Sequence, residues 1–223
     1  KAKSIDTLAA RVRLDVIRGL AGDEVRHFGR LVYDAGPPGR FRVHFDRLGL
    51  DDGVRRQNRT YIFDGVWLVD RDEDEKQLLK RQIVNPNREP DRDPLGLGEG
   101  PFTLPLRMDK QQVLRRFNIE PLEPDEELDP QNAVGFLLTP KRHPDDVNIH
   151  LWYDRETLLP VRAATIEKDN ETIVNLFHMT TGIEVKPEQF DTTLPSERGE
   201  RGWREEITTW EDQSRGGPEL DVP

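Results

Sequence analysis

The chain has 223 residues, 33 Lys and Arg against 43 Asp and Glu, a net charge of −10, and 34% hydrophobic beside 34% charged residues. So acidic a chain repels phosphate backbones, which are held by Lys and Arg displacing counterions, and no nucleic-acid partner is expected. Cysteine is absent, which excludes disulfides and thiolate metal sites, and no apolar run approaches the roughly 18 residues of a membrane-spanning helix.

The length fits one β-rich domain, and the lean apolar supply suits sheets with one wet face better than a thick helical core. The chain starts at Lys1 rather than Met, so any leader is expected to have been removed or left out, and a cleaved export signal stays open. Ile5 and Leu8 to Ala10 suggest a brief helical lead. From Arg11 to Val16 polar and apolar residues then alternate strictly, placing Val12, Leu14 and Val16 on one strand face. Val25 to Asp34 follows, and Ala35 to Gly39 (AGPPG) supplies a turn into a half-wet strand from Arg40 to Asp46.

Arg55, Arg56 and Arg59 cluster closely enough to form a local basic patch within the acidic total. Thr60 to Asp70 has two β-rich arms around Asp64-Gly65, read as a hairpin with a two-residue turn. Lys76 to Val84 reads as the return strand of a further hairpin. Asn85 to Pro105 is rich in Pro and Gly and predicts a long loop. Asp109 caps a short helix through Arg116, and Glu120 to Pro130 is an acidic connector. Candidate strands recur at Val134 to Thr139, Val147 to Asp154, Val161 to Lys168, Thr172 to His178 and Trp203 to Thr209. The chain divides into one domain over 1–213 and a polar tail over 214–223, with no fixed-period repeat.

Few residues point to chemistry. The five histidines never form the His-Glu-x-x-His spacing of a zinc helix, so no metal is expected. Asp70, Asp72 and Asp74 are spaced like the first ligands of a calcium loop, but Glu75 stands where the sharp turn needs Gly. No nucleophile elbow, phosphate-binding loop or dinucleotide fingerprint occurs, so no cofactor and no enzymatic activity are expected. Asn58 and Asn170 each begin an Asn-x-Thr triplet that chance explains.

What remains is apolar: Leu14, Phe41, Val43, Phe45, Tyr61, Phe63, Trp67, Leu151 and Tyr153, on the inward phase of successive strands. Each taken singly is ordinary core. If the sheet curls without closing tightly, together they line a cavity for a lipid or another small molecule.

The order of these segments resembles a known family. GRLVYDAGPPGRFRVHF (Gly29 to Phe45), TYIFDGVWLVDRDEDEKQLLKRQI, FLLTPK and LPVRAATIEKDNETIVNL are similar, in that succession, to the periplasmic lipoprotein carriers and receptors of the LolA and LolB type. Phe41, Asp64, Gly65 and Trp67 occupy the places of the family's aromatic strand and Asp-Gly hairpin. Leu138 to Lys141 and Thr172 to Leu176 match its later strand ends. The resemblance implies a mainly β fold: a single antiparallel sheet of about eleven strands, curled into an unclosed barrel with a short helical or loop lid. It implies a monomeric periplasmic protein that shields lipid or lipoprotein acyl chains and meets a membrane-associated docking partner. Leu95, Leu97 and Phe102 would belong to the lid. The carriers have a basic residue before the turn Pro, where this chain has Ala35 and Gly36, so a gating role for that residue is not carried over. Two other readings stay open: a sensor or interaction domain on the same scaffold, and a hydrolase with an unrecognised site.

Overall fold

Strict polar and apolar alternation over long segments gives long strands. The computed structural model describes residues 5–19, 22–50, 53–85, 97, 103–104, 106, 110–123, 128–129, 131–142, 144–145 and 147–214. Six strands come first: β1 (Thr7–Arg18), β2 (Asp23–Asp34), β3 (Arg40–Leu50), β4 (Gly53–Phe63), β5 (Trp67–Asp72) and β6 (Gln77–Gln82). After α1 (Lys110–Arg116) come β7 (Phe117–Leu122), β8 (Ala133–Pro140), β9 (Asn148–Asp154), β10 (Pro160–Glu167) and β11 (Asn170–Thr181). Two short 3-10 turns (Pro187–Phe190 and Ser196–Arg198), β12 (Arg204–Thr208) and α2 (Trp210–Ser214) complete the described chain.

The twelve described strands form one sheet in the order β12-β6-β5-β4-β3-β2-β1-β11-β10-β9-β8-β7, with β12 and β7 unpaired at its edges among the described residues. The sheet is therefore open, as expected, with one strand more than the resemblance implied. Neighbours are antiparallel except β12, which runs parallel to β6. The first and eleventh strands lie side by side at the centre, Leu14 opposite Val174.

The structure corrects three local expectations. Leu8 to Ala10 lie within β1 rather than in a helical lead, because Leu8 and Ala10 continue the inward phase of Val12 and Leu14. The start of the acidic connector is strand, β7, paired with β8 from Phe117 to Leu122. The Asp64-Gly65 hairpin closes with a longer loop, since β4 ends at Phe63 and β5 begins at Trp67. There the Asp64 carboxylate accepts hydrogen bonds from the backbone N–H groups of Val66 and Trp67 at 2.9 and 2.8 Å. The Asx bonds satisfy a three-residue loop that a tight two-residue turn would not need.

Both sheet faces bury apolar side chains. On the inner face a large cluster runs from Leu8, Val12 and Leu14 through Leu31, Phe41, Val43, Phe45 and Phe63. The adjoining cluster of Phe117, Leu138, Ile149, Leu151 and Ala163 lies on the same face, because Val174, Ala163 and Leu151 are register partners. The outer face is covered at its two flanks. Over β4 to β6 the segment from Val185 to Trp203 lays Phe190, Leu194 and Trp203 on Ile62, Val69 and Leu78. Over β9 and β10, Leu122 and Leu128 pack with Trp152, Ala164 and Ile173.

Candidate binding face

Alternation decides which side chains share a face, and register carries that choice from strand to strand. Phe41 faces Tyr33 and Phe63 across its two ladders, and Val43 faces Leu31 and Tyr61. Leu14, Phe41, Val43, Phe45, Tyr61 and Phe63 are thereby brought into one buried cluster on the inner face. Leu151 belongs to the neighbouring cluster, with Tyr153 packed at its margin. Trp67 falls elsewhere. It precedes Leu68, which joins the inner cluster, so its own ring is on the outer face, with the Lys80 ammonium 5.2 Å from the ring centroid.

Among the described residues, this inner face is covered by side chains that lie outside the strands. Leu104 and Leu106 are buried against the cluster of Leu14 and Phe45, together with Ile83 and Val84. Leu97 is buried with Val113 of α1 and Phe117 against Leu138, Ile149 and Leu151. Thr103, also buried, shares a hydrogen bond of 3.0 Å with Thr165 of β10. Of the three residues expected in a lid, Leu97 is buried in this cluster, whereas Leu95 and Phe102 lie outside the described residues. Sequence reading missed Leu104 and Leu106. Their signal was a two-residue spacing of leucines inside an otherwise Pro-rich stretch.

The inner face carries polar groups at one end. Arg59 makes a two-pronged contact with Asp70, Nε to Oδ1 at 2.9 Å and Nη2 to Oδ2 at 2.7 Å, a geometry that fixes both planar groups. Burial works against the guanidinium charge, but the hydrogen bonds to Asp70 outweigh it and hold Arg59 more firmly protonated than usual. Burial, with the Asp70 charge beside it, pushes the Tyr61 hydroxyl well above the ordinary range. His27 lies tilted against Phe45 with ring centroids 5.4 Å apart and shares a hydrogen bond of 2.8 Å with Gln57. Burial holds its imidazole below the usual value. This end of the face is polar yet carries compensated charge.

A cavity of about 560 Å³ lies where the β3–β4 ladder is irregular, lined by His44, Asp46, Arg47, Arg56, Gln57, Asn58 and Asp74. Its lining is polar. Of the basic cluster read from the sequence, Arg56 lines this cavity while Arg59 turns to Asp70. Among the described residues no group of His, Asp and Glu is arranged to hold a metal ion. No described helix is long and apolar enough to cross a membrane.

No family model matches the sequence, and no curated protein does. Solved structures do. A DUF1329 family protein from Desulfovibrio piger is similar at 13% identity over 86% of this chain and 92% of its own, with a TM-score of 0.44. The lipoprotein LppX of Mycobacterium tuberculosis is similar at 11% identity over 82% of this chain and 90% of its own, with a TM-score of 0.44. A LolA superfamily protein from Nitrosomonas europaea is similar at 9% identity over 85% of this chain and 92% of its own, with a TM-score of 0.39.

Proposed function

We propose that the chain is an exported acyl-chain binding protein. Its inner sheet face would be the binding surface, with Leu97, Leu104 and Leu106 as a cover that gives way to the ligand. The observation that carries this reading is the nature of the cover. Among the described residues, an apolar floor extending from β5 to β8 is closed by side chains outside the strands, Val113 of one short helix among them, rather than by a second sheet.

The energetics support an exchange. Burial of a Leu side chain contributes about 1.5–3 kcal/mol and each buried methylene about 0.8 kcal/mol, so an acyl chain of about a dozen methylenes offsets the exposure of all three leucines. Leu14, Phe41, Val43, Phe45, Tyr61, Phe63 and Leu151 would form the floor, and Tyr153 its margin. Trp67 would act only from the outer face. The polar end at Arg59, Tyr61 and His27 would receive the ligand's head. The guest would be a lipid or a lipoprotein's acyl chain, taken up by a monomer that docks at a membrane-associated partner. Such a protein works by shielding, without catalysis.

Native mass spectrometry of protein purified from its own host should show a co-purified species of lipid mass, and a fluorescent fatty acid should be displaced by that lipid. Leu104→Ser with Leu106→Ser should loosen the cover and speed uptake of the probe, whereas Val43→Trp, which fills the floor, should abolish uptake while the fold persists. Protein free of lipid that also fails to take up the probe with the cover loosened would refute the reading.

A further inference from the structure

Between its two covered flanks the outer face is crossed by a row of register partners on four adjoining strands: Phe177 of β11, Arg11 of β1, Arg30 of β2 and His44 of β3. Arg11 and Arg30 stand directly opposite each other. Both are exposed, and neither has an ion-pair or hydrogen-bond partner among the described residues. The next row repeats the theme with Arg13 opposite Phe28 and Phe28 opposite Arg47. Arg13 lies 6.0 Å from the Phe177 ring centroid and Arg47 lies 5.3 Å from that of Phe28. Phe177 itself is 44% exposed.

Like charges directly across a ladder destabilise a sheet. Here they persist uncompensated in a chain with 43 acidic residues to draw on. No lysine occurs between Ile5 and Glu75; every formally positive residue of β1 to β4 is Arg. A flat anionic membrane is served equally by flexible ammonium groups, whereas the planar guanidinium matches carboxylates two-pronged. Arginine interleaved with aromatic rings, Phe177 exposed and Phe28 half-buried, without lysine, is the composition of the centre of a protein interface. The row also lies on the opposite sheet face from the floor proposed for the acyl chain, so its occupant leaves that face free.

We propose that this strip is a docking site for an acidic protein segment, whose carboxylates bridge Arg11 and Arg30 and whose apolar residue covers Phe177. The bridging converts a like-charge repulsion into two ion pairs, so association is favoured by what it relieves as well as by what it makes. His44 closes the row at β3, with a hydrogen bond of 2.9 Å to Thr60.

The test uses the full chain and a fluorescein-labelled Glu/Ser peptide carrying one Phe, followed by fluorescence anisotropy at low and at physiological salt. Its Gln/Ser counterpart and vesicles containing anionic phosphatidylglycerol serve as alternative ligands. Binding of the acidic peptide should shift the backbone amide signals of Arg11, Arg30 and Phe177. It should weaken with salt and fall about tenfold or more in Arg11→Gln/Arg30→Gln. Arg155→Gln/Arg201→Gln, exposed positions away from the row with the same change of net charge, should bind as the parent does. The row variant should also melt no lower than the parent. Equal loss in both double variants reduces the effect to net charge and overturns the proposal. So does tighter binding to vesicles than to the peptide, no binding at either salt, or a lower melting temperature in the row variant.

Discussion

Gly65 is held at φ 105°, and a Cβ there would overlap the Pro38 ring, so the β4–β5 loop is packed against the β2–β3 turn by the absence of a side chain. Gly65→Ala should cost about 2–3 kcal/mol, backbone strain and overlap acting together, read as a lower urea midpoint at unchanged slope. The histidines act through their protonation. His27 and His44 both have imidazoles depressed below the ordinary 6.5, in each case by burial first, with neighbouring arginines adding to it. The unfolded chain therefore binds more protons than the folded one at pH values between 6.5 and the lowered native values. Stability is complete above that window and is lost as pH falls through it. Urea midpoints should drop as pH falls below 6.5, and His27→Gln should flatten the slope. Asp15 has the opposite sign. Burial raises its carboxyl despite Arg13 at 2.8 Å, so its contribution to stability declines as pH rises through the raised value. These residue-scale features were partly legible. The Asp-Gly turn announced itself, but the overlap that makes Gly65 necessary comes from a proline twenty-seven positions earlier.

Among the elements, the segment from Val185 to Trp203 does the most with the least regular structure. Phe190 is 3% exposed beneath the Arg40 guanidinium, whose carbon lies 4.8 Å from the ring centroid. Arg71 and Lys76 flank Trp203 at 4.5 and 4.9 Å. Thr192 donates to the Asp64 carboxylate at 2.6 Å and its carbonyl accepts from Lys80. The segment binds the outer face and delivers β12 to the edge of β6. Phe190→Ala should cost about 3 kcal/mol by the loss of a buried aromatic ring. Hydrogen exchange should accelerate across 183–208 and β6 while β1 and β2 stay protected. Sequence reading found the strand that became β12 and gave no account of this strap, because its anchors are aromatic residues scattered among polar ones without a period. The start of the N-terminal strand was missed for a related reason. Leu8-Ala9-Ala10 is an apolar run whose alternation shows only when it is extended from Val12 backward.

At the scale of the molecule, one sheet of twelve described strands leaves both edges unpaired among the described residues, and the edges are handled differently. β7 places Pro121, which lacks an amide proton, in its exposed outer strand; β12 carries three charged residues, Arg204, Glu205 and Glu206, along its length. If the inner face takes an acyl chain, ligand should raise the melting temperature in proportion to the logarithm of its concentration once above the dissociation constant. Thermal unfolding with and without the co-purified lipid measures this, and a concentration-independent midpoint would speak against binding to the folded state.

Alternation and turn chemistry in the sequence alone determined that the chain is a succession of antiparallel strands with one greasy and one wet phase, because both are local properties of a few consecutive residues. They also determined that Leu14, Phe41, Val43, Phe45, Tyr61 and Phe63 point one way. Only the tertiary structure decided what lies over them. Which irregular segment covers the inner face, which straps the outer one, and that Arg11 meets Arg30 depend on the pairing of distant strands. Register between strands sums many weak contacts over the whole sheet, and no short stretch of sequence contains that sum.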